Sequence, residues 1–157
     1  MPKLRQATNK DQAAVTKLIY SILEDYKLKH DPRTTDADLM DIEKNYTTRN
    51  GLFDLLEDEN GKIIATVGLY KIDDETCELR KMYLDKYQRG KGLGKFLLEH
   101  ALRRARELGY KKVVLETASV LKEAIGLYEK YGFIKFQADH LSKRCDQSYF
   151  LELDLKG

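Results

Sequence analysis

The sequence predicts an α/β fold in one domain, residues 1–157. A mostly antiparallel mixed sheet is expected to contain one parallel β-α-β crossover and to carry about four flanking helices. A glycine-rich turn at residues 88–94 follows a strand-like run and opens an amphipathic helix, and an apolar strand comes next. This order of strand, helix and strand predicts the parallel crossover. Alternating apolar runs joined by short turns on both sides of it are typical of antiparallel strands.

The N-terminal third predicts one strand and two helices. Residues 3–7 alternate as a strand does, and Thr8-Asn9-Lys10-Asp11 is typical of a helix N-cap. The helix is expected to end before Asp31-Pro32-Arg33, because proline disfavours the helical conformation in the residue before it. Residues 36–46 predict a second, polar helix. The apolar face of the first helix is predicted from helical spacing: Ala14, Leu18, Ile22 and Tyr26.

The middle of the chain predicts three strands, at residues 52–57, 63–70 and 77–84. The turn Glu59-Asn60-Gly61-Lys62 joins the first two, and its Asn-Gly pair is typical of a hairpin. The acidic turn at residues 72–75 leads into the third strand.

The C-terminal half continues the crossover with a helix after the glycine turn. Gly109 and Gly132 stand where helix C-terminal caps belong. His100, on the apolar side of the crossover helix, is interpreted as a packed core side chain rather than a catalyst. The apolar stripe of that helix is Leu93, Phe96, Leu97, Ala101 and Leu108. The remaining predicted elements are a buried strand at 113–115, a short helix at 123–131 and strands at 133–138 and 148–155.

The turn Gln88-Arg89-Gly90-Lys91-Gly92-Leu93-Gly94 predicts a phosphate-binding site. Glycines at a strand-to-helix turn let several backbone N–H groups approach one anion, and the helix dipole and the basic residues add positive charge. The mononucleotide motif fails because Gly94-Lys95 is followed by Phe96. The dinucleotide motif fails because its third glycine would be residue 95. The phosphates must therefore belong to another ligand.

Composition limits the class of partner. A net charge of +2 with interspersed signs gives no reason to expect nucleic acid. No apolar run approaches the roughly 20 residues of a membrane helix, and the N-terminus lacks a signal-peptide pattern, so no membrane partner is expected. Cys77 and Cys145 show neither metal-ligand nor disulfide spacing. A metal-free protein of the reducing cytoplasm is therefore expected.

Two motifs carry a resemblance to a known family. Arg89, Gly92 and Gly94 match the pattern Arg/Gln-x-x-Gly-x-Gly/Ala, and residues 124–133 read Ala-Ile-Gly-Leu-Tyr-Glu-Lys-Tyr-Gly-Phe. In this order the two motifs resemble those of the GCN5-related N-acetyltransferase (GNAT) superfamily, and the resemblance covers residues 4–155. It implies an enzyme that transfers an acetyl group from acetyl-CoA, its cosubstrate, to an amine acceptor by direct attack in a ternary complex.

The resemblance also implies roles for single residues. Tyr128 is the candidate general acid, because a phenol with a pKa of about 10 can protonate the departing thiolate; otherwise it is a core aromatic. Glu78 is the candidate general base. Pairing with Arg80 or Lys112, or exposure to solvent, would leave that role to water. The third strand is expected to diverge from its neighbour at 82–84, which frees backbone N–H groups. Residues expected to bind acetyl-CoA are Met82, Tyr83, Leu84, Arg89, Gly90, Lys91, Gly92, Leu93, Gly94, Lys95, Thr117 and Tyr128.

One position departs from the family pattern. Leu121 stands where the family often has an asparagine that binds the pantetheine arm, and leucine can neither donate nor accept a hydrogen bond. Thr117 or Ser119 is the candidate replacement.

The departure leaves a second function open, a CoA-binding sensor or regulatory module without catalysis. The acceptor, a small molecule or a protein amino group, is not identified. The resemblance assigns acceptor binding to residues 18–46 and 138–146, and these show no selective cluster. A homodimer is also left open, since no exposed apolar stripe indicates an interface.

Overall fold

The computed structural model describes residues 2–154, and within them one seven-stranded mixed sheet carries helices on both faces. The strand order is β1-β2-β3-β4-β5-β7-β6, and every neighbouring pair is antiparallel except β4 and β5. The predicted fold class is confirmed. The strands are β1 (Lys3–Gln6), β2 (Leu52–Glu57), β3 (Ile63–Lys71), β4 (Thr76–Leu84), β5 (Lys112–Thr117), β6 (Ile134–Phe136) and β7 (Gln147–Glu152).

The α-helices of the described part are α1 (Gln12–Asp25), α2 (Ile42–Asn45), α3 (Leu93–Glu107) and α4 (Lys122–Lys130). Positive φ angles of 94° at Gly109 and Gly132 follow the last turns of α3 and α4, as the predicted C-terminal caps require. None of these helices has the length and apolar character that crossing a membrane would need.

The buried face of α1 differs in part from the predicted one, of which Ile22 is buried. Val15, Ile19 and Leu23 are fully buried, whereas Ala14 is exposed and Leu18 is half-buried. Both stripes have helical spacing, so periodicity could not choose between them. At the start of the helix Val15 is buried rather than Ala14, because the larger side chain removes more apolar surface from water.

The predicted second helix is broken. A 3₁₀ turn at Ala37–Met40 is separated from α2 by Asp41, whose backbone is extended and whose carboxylate accepts a hydrogen bond from the Lys44 N–H at 3.0 Å. An aspartate that caps a new helix ends the preceding turn, so side-chain capping prevents a continuous helix here.

Two apolar layers cover the two faces of the sheet. Along β2, Phe53 and Leu55 pack with α1, while Leu52 and Leu56 pack with α3 on the opposite face. Side chains that alternate in this way place α1 and α2 on one side and α3 and α4 on the other. Helices from both faces of the sheet contribute residues to the cavity described in the next subsection.

The buried face of α3 differs at one position from the predicted one and contains one polar side chain. Phe96, predicted to be part of the apolar stripe, is 46% exposed, and Leu98, which was not predicted, is buried. Leu97 and Ala101 are buried as predicted. His100 is buried as predicted, and its Nε2 lies 2.7 Å from Oδ2 of Asp54 on β2. The two polar groups satisfy each other within the layer, away from the cavity.

The two C-terminal strands are shorter than predicted. β6 covers only Ile134–Phe136 of the predicted 133–138, and β7 begins one residue early at Gln147 and ends at Glu152. Leu155, the predicted end of the last strand, lies outside the described residues.

Candidate active site

The site begins where β4 and β5 diverge. Parallel pairing joins Thr76 to Lys112, Cys77 to Val113 and Glu78 to Val114, and it stops there. β4 continues to Leu84 along β3, while β5 continues to Thr117 along β7. Backbone groups of residues 79–84 that point toward β5 therefore have no strand partner. This is the divergence that the family resemblance implied.

A β-bulge lies in the part of β4 that diverges from β5. Between the pairs Gly68–Arg80 and Thr66–Tyr83, β4 has one residue more than β3. Lys81 in this segment has a φ of 54°, which is unusual for a residue with a side chain. The Thr66 hydroxyl donates to the Lys81 carbonyl at 2.7 Å and helps to hold this conformation.

The glycine turn opens α3 at the same edge of the sheet. Gly90 and Gly92 have φ angles of 78° and 81°, and a Cβ atom at either position would meet no atom within 4 Å. The two glycines therefore leave open space in front of the backbone of the turn. The N–H groups of residues 93–95, in the first turn of α3, have no partner within the helix. This arrangement suits a phosphate group.

A cavity of about 430 Å³ lies between the divergent strands, the glycine turn and α4. Most of the residues predicted from the sequence line it together: Glu78, Met82, Tyr83, Leu84, Arg89, Gly90, Gly92, Leu93, Gly94, Thr117 and Tyr128. Lys91 and Lys95 do not line it. Both are exposed, and the Lys91 ammonium donates to Oε1 of Gln88 at 3.2 Å.

Arg89 is the basic residue of the turn that faces the cavity. Its guanidinium carbon lies 5.0 Å from the centroid of the Tyr26 ring, just beyond the end of α1. A cation at this distance from a tyrosine ring is attracted to its face. The contact joins the glycine turn to α1 across the cavity mouth.

Tyr128 of α4 is 6% exposed and lines the cavity. Among residues 2–154 its hydroxyl has no hydrogen-bond partner, and its ring packs at 5.6 Å from that of Phe133. Burial raises the pKa of the phenol well above its usual value, and the nearby Tyr83 and Cys145 raise it further. The group is therefore protonated at neutral pH and free to donate.

Glu78 of β4 is 8% exposed, and its Oε1 accepts a hydrogen bond from Nε of Arg80 at 2.5 Å. Burial raises the pKa of this carboxyl, and the charge of Arg80 offsets only part of the increase. Pairing with Arg80, an alternative considered from the sequence, is thus present, but the carboxyl still faces the cavity.

At the position that departs from the family pattern, Leu121 lines the cavity with its apolar side chain. Of the two candidate replacements, Thr117 also lines it. The Ser119 hydroxyl is engaged elsewhere, because it donates to Oδ2 of Asp146 at 2.7 Å.

Sequence reasoning missed a buried ion cluster beside the cavity. Asp36, whose side chain is fully buried, accepts two hydrogen bonds from Arg144, at 2.7 and 2.8 Å, and lies 3.0 Å from the ammonium of Lys81. Burial alone would raise the pKa of Asp36, but Arg144 and Lys81 outweigh it and lower the pKa to about 2. Asp38 stands 3.4 Å from the same ammonium and accepts a hydrogen bond from the Tyr46 hydroxyl.

This cluster fixes one wall of the cavity. It joins three segments that are distant in sequence: the loop after α1, the bulge of β4 and the loop between β6 and β7. Thr35, Lys81 and Arg144 from these segments all line the cavity. The local sequence signal for this cluster is the pair of consecutive charged residues in β4, Arg80 and Lys81. Because the partners of Lys81 are distant in sequence, that pair does not identify them.

The sequence profile of the acetyltransferase (GNAT) family matches residues 16–133. The chain belongs to this family. It is 36% identical over 137 residues to an uncharacterised N-acetyltransferase of Escherichia coli (strain K12), YjgM, covering 84% of this chain and 81% of that protein. It is 33% identical over 119 residues to human N-acetyltransferase 8B, covering 73% of this chain but spanning only about half (48%) of that protein.

Solved GNAT structures have the same fold. A GNAT acetyltransferase from Staphylococcus aureus Mu50 superposes with a TM-score of 0.91 at 24% identity, covering 98% of this chain and all of that one. The acetyltransferase yncA from Salmonella typhimurium, solved with its cofactor acetyl-CoA, gives a TM-score of 0.72 at 23% identity, covering 98% and 95%.

GNAT membership makes the protein an acetyl-CoA-dependent N-acetyltransferase acting on an amine. The comparisons give no support to a CoA-binding sensor without catalysis. The residues of this chain fit the cosubstrate, because the glycines of the turn face open space and the divergent strand presents unpaired backbone groups. No group of three or more His, Cys, Asp or Glu side chains within residues 2–154 could hold a metal ion.

Proposed function

We propose that this acetyltransferase domain transfers the acetyl group directly to an amine held beside Glu78, with Tyr128 as general acid. The single observation that carries this assignment is that one cavity joins a buried carboxyl, a buried unpaired phenol and the divergent backbone of β4. Each of these groups meets one demand of acyl transfer: a base for the amine, an acid for the thiolate and donors for the carbonyl oxygen.

The backbone of β4 orients the cosubstrate in this proposal. Unpaired N–H groups of Met82 to Leu84 donate to the acetyl carbonyl and to the pantetheine arm. The turn from Arg89 to Lys95 binds the pyrophosphate, with Arg89 as the cation nearest the cavity. Thr117, the polar residue near Leu121, supplies the hydrogen bond that leucine cannot make. Acetyl-CoA itself supplies the activated thioester.

Glu78 removes the first obstacle, which is that an alkylamine with a pKa of about 10.4 is almost wholly protonated at pH 7. Its raised pKa makes the carboxylate a stronger base than an exposed glutamate, and so supports this role. The Arg80 hydrogen bond orients the carboxyl, and it offsets only part of the increase in the pKa of Glu78.

Tyr128 acts at the other end of the reaction. The N–C bond forms and the C–S bond breaks. An ammonium acceptor loses two protons in all, of which one reaches sulfur through Tyr128 and the other reaches water through Glu78. No cysteine needs to carry the acetyl group, and burial raises the pKa of Cys145, the thiol that lines the cavity, which disfavours its thiolate.

The test is thiol release from acetyl-CoA with a panel of alkylamines, arylamines, amino acids and peptides. We expect turnover with at least one amine and intersecting initial-rate patterns, as a ternary complex requires. Glu78→Gln should lower kcat/KM at pH 7 by roughly 10²-fold or more and remove the acidic limb of its pH profile. Parallel initial-rate patterns would contradict direct transfer, and an unchanged Glu78→Gln profile would leave the base role to water.

A further inference from the structure

Two carboxylates of neighbouring strands share one face of the sheet where β4 and β5 diverge. Glu78 pairs in register with Val114, and Glu116 lies two residues further along β5. Alternate residues of a strand point to the same face, so Glu116 follows Val114 onto the face of Glu78. Both carboxyl groups line the cavity.

The two carboxylates differ in their partners. Glu78 is bound by Arg80, whereas Oε1 of Glu116 accepts only the backbone N–H of Ser142, at 2.8 Å, and among residues 2–154 forms no ion pair. The cationic side chains nearby are already engaged, since Lys81 and Arg144 both bind Asp36. Glu116 therefore leaves one negative charge facing the cavity without a cationic partner among the described residues.

A second observation marks the same cavity as a ligand site. The side chain of Tyr128 is 6% exposed and lines the cavity, and its hydroxyl has no hydrogen-bond partner among the described residues. A hydroxyl that lines a cavity without a protein partner is available to hydrogen-bond a ligand. The cavity is thus built to receive a polar ligand, with an unpaired donor toward α4 and an unpaired negative charge on β5.

We propose that Glu116 selects acceptors that arrive as alkylammonium ions, holding the cation beside Glu78 until its proton is removed. This inference rests on the proposed function, and it narrows the acceptor from amines in general to amines that are charged at neutral pH. A carboxylate in a partly buried site binds an ammonium ion through charge-assisted hydrogen bonds, which a neutral arylamine cannot match.

The pair also predicts a pH signature. The groups that face Glu78 are Arg80 and Lys81 on its own strand, Glu116 on β5 and Cys145 on the loop after β6. Arg80 and Lys81 lower the pKa of Glu78, whereas the negative charge of Glu116 raises it. Removing that charge should therefore lower the pKa of Glu78, and the acidic limb of kcat/KM should move to lower pH.

The experiment compares Glu116→Gln with two isomeric probes, benzylamine, which is an ammonium ion at pH 7, and 4-methylaniline, which is neutral. Glutamine keeps an oxygen for the Ser142 N–H but loses the charge. We expect kcat/KM for benzylamine to fall at least tenfold through KM, while the value for 4-methylaniline stays within twofold. Glu152→Gln, which removes an exposed carboxylate at the other end of β7, is the matched control and should change neither.

Two further arms keep the outcome decisive. Glu116→Asp retains the charge and should retain the preference for benzylamine, and the pH profile of Glu116→Gln is measured with the best alkylamine of the panel if neither probe is accepted. Equal losses on both probes, an unmoved acidic limb, or a wild-type enzyme that accepts only arylamines would overturn the inference. A wild-type enzyme that acetylates no amine would overturn the proposed function itself, and this inference with it.

Discussion

Replacing Tyr128 with phenylalanine separates catalysis from packing at the centre of the site. The change keeps the ring that packs against Phe133 and removes only the hydroxyl. That hydroxyl has no hydrogen-bond partner among residues 2–154, so the folded protein loses no internal hydrogen bond. The free energy of unfolding should therefore change by less than about 1 kcal/mol, which is the usual value of one neutral hydrogen bond.

The effect on the reaction should be far larger. Loss of one positioned general acid lowers turnover by roughly 10²–10⁴-fold, or about 3–5 kcal/mol in the barrier. Because burial keeps the pKa of the phenol well above its usual value, the wild-type rate should not decline through loss of this proton up to about pH 9. The affinity for CoA should stay within about twofold, since the aromatic ring remains in place.

Tyr110 offers a matched control. Its side chain is buried too, but its hydroxyl donates to the Asn50 carbonyl at 2.7 Å and the residue does not line the cavity. Tyr110→Phe should cost about 1 kcal/mol of stability and lower the melting temperature by about 2–4 °C, with turnover unchanged. Steady-state thiol release and thermal unfolding of both variants make the comparison. If Tyr128→Phe loses stability but keeps turnover within a few-fold, Tyr128 is a core aromatic and water protonates the thiolate.

Three further predictions concern the rest of the cavity. Asp36→Asn should destabilise the protein by about 3–5 kcal/mol at pH 7, because its buried cations lose a counter-charge. Since the folded-state pKa of Asp36 is about 2 against an ordinary 3.8, wild-type stability from this pair should be lost as pH falls from about 4 through about 2, as urea unfolding would show. Gly92→Val should weaken CoA binding at least tenfold by calorimetry, whereas Gly109→Val, equally strained but outside the cavity, should not. Arg89→Ala should flatten the salt dependence of CoA binding more than Lys91→Ala, because only Arg89 faces the cavity.

The elements that could be predicted are those whose signals are local. Residues 52–57 form β2 as expected, and the glycine turn opens α3 at Leu93, because alternation and φ preferences act within a few residues. The face of α1 and the break at Asp41 could not be predicted in this way. The first depends on which stripe the sheet accepts, and the second on a side-chain cap that competes with the helix.

The same distinction divides the cavity into two halves with different origins. The half assigned to CoA contains the glycine turn and α4, whose two motifs can be recognised in the sequence, and the divergent backbone of β4, which the family resemblance implied. The other half is held by Asp36, which pairs with Arg144 across 108 residues and with Lys81 in a strained strand conformation, and neither pairing has a local signature. Because Asp36 holds Lys81 and Arg144 in this half, changes in it should alter the KM for the amine more than the KM for acetyl-CoA. Under the proposed function, we therefore expect acceptor choice to depend on these long-range ion pairs and on Glu116, so that it can differ between relatives that share the motifs assigned to CoA.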